Sequence, residues 1–186
     1  MARSKASTPT QPRTPGRAPG RTLARKPGRA AAGADPRGQW LQLDRQLCFA
    51  LYSSSLAMTK LYKPLLAPLG LTYPQYLVML VLWEADGSEP GLSVGQLGQR
   101  LSLDSGTLTP LLKRLAQQGL VERHRASDDE RRVELALSPA GRRLRAQALD
   151  IPQQLACASA CDLGELVALT ERLHVLRGQL VQAASD

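Results

Sequence analysis

The chain has 186 residues, of which 43% are hydrophobic, and it carries a formal net charge of +8. This length allows one folded domain and an additional segment. No apolar run approaches the roughly 20 residues that span a bilayer, and the basic N-terminus lacks the apolar core of a secretory signal. Three cysteines, an odd number, argue against a disulfide framework and predict a protein of the reducing cytoplasm.

The positive charge is concentrated at one end of the chain. Residues 1–38 hold nine Lys or Arg and one acidic residue, whereas residues 39–186 hold fifteen residues of each sign. Residues 1–38 are also rich in Pro, Gly, Ser, Thr and Ala, which predicts a disordered basic tail. Such a tail either binds nucleic acid nonspecifically through its charge or is a dispensable extension.

Two helices are predicted in the first half of the remaining chain. Apolar residues from Trp40 to Leu61 recur at helical spacing and predict a long amphipathic helix that ends before Pro64. The next segment, with Pro68, Gly70 and the Thr72-Tyr73-Pro74 run, predicts a broken connection. A strongly apolar helix then follows from Tyr76, and the Gly- and Pro-rich residues 85–91 predict a loop.

A helix-turn-helix pattern comes next. Ser93 is a suitable N-cap for a short first helix, and Asp104 or Ser105 caps a second one. This second helix runs roughly to Gln118, since Gly119 favours a helix end. Its apolar residues recur every three to four positions, as a helix with one buried face requires. They are Leu108, Leu111, Leu112 and Leu115.

The other side of the second helix is polar and basic. Small hydroxyl side chains near its start are suited to base edges, and the cations further along are suited to phosphates. The pattern predicts the recognition helix of a DNA-binding module, and the alternative is an ordinary solvated helix face. The candidate DNA-binding residues of this helix are Asp104, Ser105, Thr107, Thr109, Lys113 and Arg114.

A basic hairpin with an acidic tip follows the second helix. Alternating apolar residues at 133–138 are typical of a half-buried strand, and Ser138 with Pro139 opens another helix. The carboxylates at 128–130 are better suited to bracing the loop than to contacting phosphates, which repel them. The candidate DNA-binding residues of the hairpin are Arg123, Arg125 and Arg131.

Leucines near the end of the chain repeat at heptad-like spacing between Leu163 and Leu180. Such a stripe is hard to bury in so small a domain, so we predict that it forms a dimerisation layer with the first helix. Two-fold DNA-binding proteins need such a layer to set the spacing of their half-sites.

Three segments resemble a known family. Residues 47–84, 103–125 and 129–132, the last reading Asp-Glu-Arg-Arg, resemble the MarR family of winged-helix repressors. The Cys48 segment and the Tyr-Pro-Gln-Tyr run resemble one branch of it, the organic hydroperoxide regulators known as OhrR. The resemblance covers about residues 40–180.

This resemblance implies a mainly α fold with a small β wing, that is, a winged helix-turn-helix. It implies a MarR-type domain at residues 39–186. Within that domain, the DNA-binding winged helix occupies about residues 75–145. The dimerisation helices occupy about residues 40–66 and 146–182.

The resemblance also implies that Cys48 is a peroxide-reactive cysteine whose thiolate accepts hydrogen bonds from Tyr62 and Tyr73. A thiolate is the nucleophile toward a peroxide, and phenol donors would stabilise it. Cys48 and Tyr62 are 14 residues apart, which is about 21 Å along a continuous helix. Their contact therefore requires a second subunit, which we favour, or a break in the helix. The alternative for Cys48 is a small buried hydrophobic residue.

Two more cysteines lie near the last helical region. Members of the resembled family that have a second cysteine convert the oxidised thiol to an intersubunit disulfide. Cys157 matches that role best, and Cys161, four residues later on the same predicted helical face, is the alternative. A metal site is a weaker alternative, since the pair lacks nearby His or carboxylate ligands, and no cofactor is expected.

These observations predict a homodimeric transcriptional repressor rather than an enzyme. It would bind double-stranded operator DNA when reduced and release it when an organic hydroperoxide oxidises Cys48. One alternative is a MarR-type repressor that a small non-covalent ligand releases. The other is a peroxidatic thiol enzyme, which would leave Lys113, Arg114 and the basic hairpin without a role.

Overall fold

The computed structural model describes residues 36–88, 91–125 and 133–185. The chain forms two compact units that divide after Leu41. The described part of the first unit is a 3₁₀ helix, Pro36–Leu41, and all of the following elements belong to the second unit. They are α1 (Leu47–Leu66), α2 (Tyr73–Glu84), β1 (Leu92–Ser93), α3 (Val94–Leu101), α4 (Ser105–Gln117), β2 (Val121–Arg125), β3 (Val133–Leu137), α5 (Pro139–Ala148), α6 (Ile151–Ser159) and α7 (Leu163–Ala183).

Two predicted features of the sequence lie outside the described residues. They are most of the basic tail, at 1–35, and the tip of the hairpin, at 126–132, which includes Arg131. In the part of the chain that the structure does describe, no single helix is long and apolar enough to cross a membrane.

Helix α1 differs from its prediction at both ends. It begins at Leu47 instead of near Trp40, and it continues through Pro64 to Leu66. A proline in the last turn removes one backbone hydrogen bond, which a helix tolerates better at its end than at its centre. Leu66 is completely buried, so its packing holds the last turn in place.

Helix α2 also begins earlier than predicted, at Tyr73 instead of Tyr76. Thr72 is the N-cap, and the side chain of Gln75 closes a capping box with it. Pro74 lies in the first turn, where a missing N–H has no cost. The predicted broken connection is confirmed between Leu66 and Thr72, where Ala67–Leu69 form a 3₁₀ turn and Gly70 is left-handed. It is wrong for Tyr73 and Pro74, which form the first turn of α2.

The helix-turn-helix is confirmed. Ser93 caps α3 by accepting a hydrogen bond from the Gln96 N–H at 3.2 Å, and Asp104 caps α4. Between the two helices, Ser102 adopts a left-handed conformation with φ of 54°. The apolar side of α4 packs into the core. Its buried residues are Leu108, Leu112 and Leu115.

The strands form an antiparallel sheet in the order β1-β3-β2. Strands β2 and β3 make the predicted hairpin, and Leu135 and Leu137 are buried on one face as the alternation indicated. Strand β1 was not predicted, because two residues are too short to show a periodicity. Ser138 then caps α5, accepting from the Gly141 N–H at 3.0 Å and donating to the Gly119 carbonyl at 2.6 Å.

The two late cysteines do not share a helix. Helix α6, which carries Cys157, ends at Ser159, and Ala160 adopts a left-handed conformation with φ of 56°. Cys161 therefore lies in the turn before α7. The prediction of one helical face is wrong because Asp162 and Glu165 form a capping box that starts a new helix.

Candidate nucleic-acid interface and redox site

The polar side of α4 is open to solvent, opposite its buried leucines. The hydroxyl residues are in its first two turns, and the cations follow in the third. All of the residues on this side that the sequence selected are exposed. They are Ser105, Thr107, Thr109, Lys113 and Arg114.

The start of α4 is held by Asp104. Its carboxylate accepts hydrogen bonds from the Thr107 N–H and the Thr107 hydroxyl, both at 2.9 Å. The backbone hydrogen bond from Thr107, together with the one from its hydroxyl, lowers the pKa of Asp104 below its ordinary value. The Thr109 hydroxyl donates to the Ser105 carbonyl at 2.7 Å. Asp104 therefore fixes the first turn, where a helix presents its N–H groups to an anion.

The hairpin adds exposed cations close to α4 in the chain. Arg123 and Arg125 are exposed on β2, the strand that follows α4 and packs against it. Between them, His124 lies 3.2 Å from the Glu122 carboxylate on the same strand. The arginines of β2 and the cations of α4 therefore belong to one winged unit.

Tyr62 and Tyr73, which the sequence selected together, are in contact. Their ring centroids are 4.8 Å apart, although one residue lies on α1 and the other on α2. Tyr76, which was not selected, extends the cluster at 5.7 Å from Tyr62, and Trp83 lies 6.2 Å beyond Tyr76. A signal for Tyr76 was its position three residues after Tyr73, on the same side of a helix.

Burial raises the pKa of the phenols in this cluster above its ordinary value. It raises the pKa of Tyr62 to about 12, with smaller contributions from Tyr76 and Tyr73. Burial also raises the pKa of Tyr73. A phenol that keeps its proton is a hydrogen-bond donor at physiological pH, as stabilisation of a thiolate requires.

Cys48 lies far from this cluster in its own chain. It is exposed in the first turn of α1, and the helix is unbroken from there to Tyr62. Fourteen residues of α-helix correspond to about 21 Å, so a break in the helix is excluded as a route to contact. A single chain does not bring Cys48 to the tyrosines.

The structure describes all three cysteines, and each is a free thiol. Cys157 is exposed on α6, which packs against α1, and its sulfur lies 3.9 Å from the Gln153 side-chain nitrogen. Cys161 is half-buried, and its sulfur lies 3.6 Å from the Ser159 carbonyl oxygen. Cys157 is therefore the more accessible of the two thiols.

An apolar surface without a partner extends over the terminal helices. Helix α7 is described in full and has no buried residue, and Leu66 alone is buried among the residues of α1. Exposed apolar side chains in this number are typical of an interaction site. The exposed large residues of these helices are Leu47, Tyr52, Leu56, Leu163, Val167, Leu169, Leu173, Val175, Leu180 and Val181.

A helix-turn-helix followed directly by a two-stranded hairpin defines a winged-helix DNA-binding module. Comparison with known proteins agrees with this class. Residues 60–147 match the family described as Transcriptional regulator SarA/Rot. The chain is 47% identical over 142 residues to the organic hydroperoxide resistance transcriptional regulator of Bacillus subtilis (strain 168), a match that covers 76% of this chain and 94% of the relative.

Solved structures of AbfR, a protein of Staphylococcus epidermidis, have the same fold. Reduced AbfR bound to DNA matches with a TM-score of 0.58 and 33% identity, over 79% of this chain and 99% of that chain. Overoxidized AbfR bound to DNA matches with a TM-score of 0.59 and 33% identity, over 77% and 98%. The chain belongs to the MarR-like winged-helix transcriptional regulators, and it is a regulator rather than an enzyme.

The raised pKa of Tyr62 predicts an alkaline loss of stability. The folded state holds the Tyr62 proton more tightly than the unfolded state does. The contribution of Tyr62 to the free energy of unfolding is therefore complete below about pH 10, the ordinary pKa of tyrosine. It is lost as the pH rises toward the folded-state pKa of about 12. We expect Tyr62→Phe to reduce the fall of the urea midpoint between these pH values. The exposed Tyr52→Phe is the control, and equal slopes in the two variants would contradict the prediction.

Proposed function

We propose that the protein is a redox-sensing transcriptional repressor. It binds operator DNA when reduced and releases it when an organic hydroperoxide oxidises Cys48. The observation that carries the proposal is the placement of an exposed thiol at one end of the unbroken helix α1, and of a phenol cluster from α1 and α2 at its other end. Exposed apolar side chains lie along the same helix. The identity to a named organic hydroperoxide regulator supports the choice of oxidant.

A homodimer completes the proposed sensor. A two-fold axis through the layer of α1 and α7 would bury the exposed leucines of both copies. It would also allow the start of one α1 to approach the end of the other. Cys48 would then lie beside the partner subunit's Tyr62 and the partner subunit's Tyr73, which no contact within one chain allows.

The DNA contacts are proposed for the exposed side of α4 and for the hairpin. Ser105, Thr107 and Thr109 would approach base edges and phosphates, and Lys113 and Arg114 would contact phosphates. Arg123, Arg125 and Arg131 would contact the backbone or the minor groove from the wing. Asp104 would contribute by holding the first turn of α4.

The proposed chemistry begins at the thiolate of Cys48, which attacks the terminal peroxide oxygen. The O–O bond breaks, the hydroperoxide is reduced to its alcohol, and Cys48 becomes a sulfenic acid. The thiol of Cys157 from the partner subunit then attacks that sulfur and displaces water, so that a disulfide forms. In the disulfide each of the two sulfurs has lost one electron relative to its thiol. These two electrons balance the two-electron reduction of the peroxide.

The disulfide is the form proposed to release DNA. It would pull α6 of one subunit toward the start of the other α1, and so change the separation of the two recognition helices. In AbfR, an overoxidized form is bound to DNA in its crystal structure. An oxidised regulator of this fold is thus bound to DNA in that crystal, and in the proposed function the bond to Cys157 supplies the movement that releases DNA. This function would place the protein in the cytoplasm.

Release by a non-covalent ligand is the second candidate function. A cavity of about 330 Å³ lies between Tyr62 and the apolar side of α7, with Leu155, Leu163 and Val167 among its lining residues. Its lining suits a small apolar or phenolic molecule. This candidate would be favoured if such a ligand released DNA from wild type and from Cys48→Ser at the same concentration.

The assigned DNA surface predicts the effect of Arg114→Ala. Loss of one phosphate contact should weaken DNA binding and reduce the slope of log affinity against log salt by about one unit. Fluorescence anisotropy with operator DNA at several salt concentrations measures both. Arg172→Ala removes an equal charge from α7 and should leave the slope unchanged. An unaltered slope in Arg114→Ala would show that the DNA surface lies elsewhere.

The sensor assignment predicts the behaviour of Cys48→Ser. The reduced variant should bind DNA within about twofold of wild type, because Ser is similar in size to Cys. It should not release DNA on addition of cumene hydroperoxide, because a hydroxyl is not a peroxide nucleophile at neutral pH. Cys161→Ser is the control and should release DNA normally. Release from Cys48→Ser at the wild-type dose of peroxide contradicts the proposed function.

The assignment of the second thiol predicts that oxidised Cys157→Ser forms no covalent dimer on a nonreducing gel. Its Cys48 should accumulate as sulfinic and sulfonic acid, since no thiol traps the sulfenic acid. Cys161→Ser should still give the covalent dimer. Mass spectrometry of the oxidised wild type checks the pairing. A Cys48–Cys161 peptide, or two Cys48 peptides joined together, would show that the wrong sulfur was chosen.

A further inference from the structure

A buried glutamine amide lies inside the sensor region. Gln75 is 3% exposed and stands between Tyr73 and Tyr76 in the first turn of α2. Its carbonyl oxygen accepts hydrogen bonds from the Thr72 N–H at 2.9 Å and the Thr72 hydroxyl at 3.0 Å. Its amide nitrogen points out of the helix and donates to the side-chain oxygen of Gln118 at 3.4 Å.

Gln118 is the C-cap of the recognition helix α4. While its oxygen accepts from Gln75, its side-chain nitrogen donates to the Gly70 carbonyl at 3.1 Å. Gly70 adopts a left-handed conformation with φ of 65° in the turn between α1 and α2. The end of the recognition helix is therefore bonded to both sides of the turn that joins the two tyrosine-bearing helices.

We propose that Gln75 and Gln118 are positioning residues that transmit the oxidation state of Cys48 to the recognition helix. The inference rests on the proposed function and specifies how its signal crosses the molecule. The sensing contact is made at Tyr62 and Tyr73, and DNA is bound by α4. Of the side-chain hydrogen bonds that the structure describes, those of Gln118 join these two regions directly.

Gln75 is buried at its end of this connection, whereas Gln118 is exposed. If Tyr73 shifts after its thiolate partner is consumed, the first turn of α2 shifts with it, and Gln75 lies two residues away on that turn. If α4 did not follow, the buried Gln75 amide would lose the hydrogen bond to Gln118. A buried polar group without a partner costs more than an exposed hydrogen bond contributes. Movement of α4 together with α2 therefore costs less free energy than loss of this hydrogen bond.

A purely structural role for the pair predicts a different result. A brace that only supports α4 would, when removed, weaken DNA binding by the same factor in the reduced and the oxidised protein. A transmitting contact, when removed, lowers the ratio between the two dissociation constants. This ratio is the coupling between sensor and DNA, and it is the quantity that assigns a role in transmission.

The experiment measures Kd for operator DNA before and after oxidation by cumene hydroperoxide. The variants are Gln118→Ala, which removes the bonds to Gln75 and Gly70, and Gln118→Glu, which keeps an acceptor for the Gln75 amide but has no donor for the Gly70 carbonyl. Gln117→Ala, an exposed neighbour on α4, is the matched control. The extent of Cys48 oxidation in each variant is followed by mass spectrometry, so that a change in transmission is separated from a change in thiol chemistry.

We expect Gln118→Ala to lower the ratio of oxidised to reduced Kd about fivefold, roughly the effect of one neutral hydrogen bond. Cys48 should oxidise to the wild-type extent, Gln117→Ala should match wild type, and Gln118→Glu should recover most of the ratio. The inference is overturned if the ratio of oxidised to reduced Kd in Gln118→Ala stays within about twofold of the wild-type ratio. This holds whether or not DNA binding is weaker in both states. A Gln118→Glu ratio as low as that of Gln118→Ala would assign the coupling to the bond with Gly70 and would remove Gln75 from the inference.

Failure of the proposed function has a separate signature. If the wild-type protein keeps its DNA after Cys48 is oxidised, both the proposed function and this inference are contradicted. If the wild type and Gln117→Ala release DNA and Gln118→Ala does so equally, only the inference is contradicted.

Discussion

The continuity of α1 from Leu47 to Leu66 keeps Cys48 and Tyr62 apart within one chain, and the proposed sensor depends on this constraint. An α-helix advances about 1.5 Å per residue, so a thiol in its first turn and a phenol in its fifth cannot meet within one chain. The same helix, described along its whole length, buries only Leu66 and leaves Leu47, Tyr52 and Leu56 exposed. The element that separates Cys48 from Tyr62 is therefore also part of the surface on which a second copy would pack. In the proposed function, sensing and dimerisation depend on each other for this reason.

Helix α2 follows α1 in the chain and is hydrogen-bonded to the winged unit at both ends of α2. At its start, the Gln75 amide reaches the recognition helix. At its last turn, the Trp83 indole N–H donates to the Gly141 carbonyl at 2.9 Å, where α5 begins. A side chain at position 141 would collide with the Leu120 carbonyl, so α5, the hairpin and α2 meet at close range. A buried donor deprived of its acceptor costs about 1–3 kcal/mol, which favours movement of these elements as one body.

The charges of the interface suggest why geometry would govern release. Lys113, Arg114, Arg123 and Arg125 are exposed cations on α4 and β2. Oxidation of Cys48 changes none of these charges, so each winged unit would keep its attraction for phosphate. A dimer that reads two half-sites needs the correct separation of its recognition helices. A change in that separation would weaken DNA binding without altering the DNA-binding surface of either winged unit.

The sequence by itself determined the winged helix and the apolar stripe of the last helix, and it selected Tyr62 and Tyr73 together, because caps, helical periodicity and motif resemblance are local signals. Only the tertiary structure decided the rest. It showed that α1 passes through Pro64, that a capping box at Asp162 separates Cys161 from α6, and that Gln75 reaches α4. These features depend on burial and on contacts between residues distant in the chain, and a periodicity read along the chain contains neither.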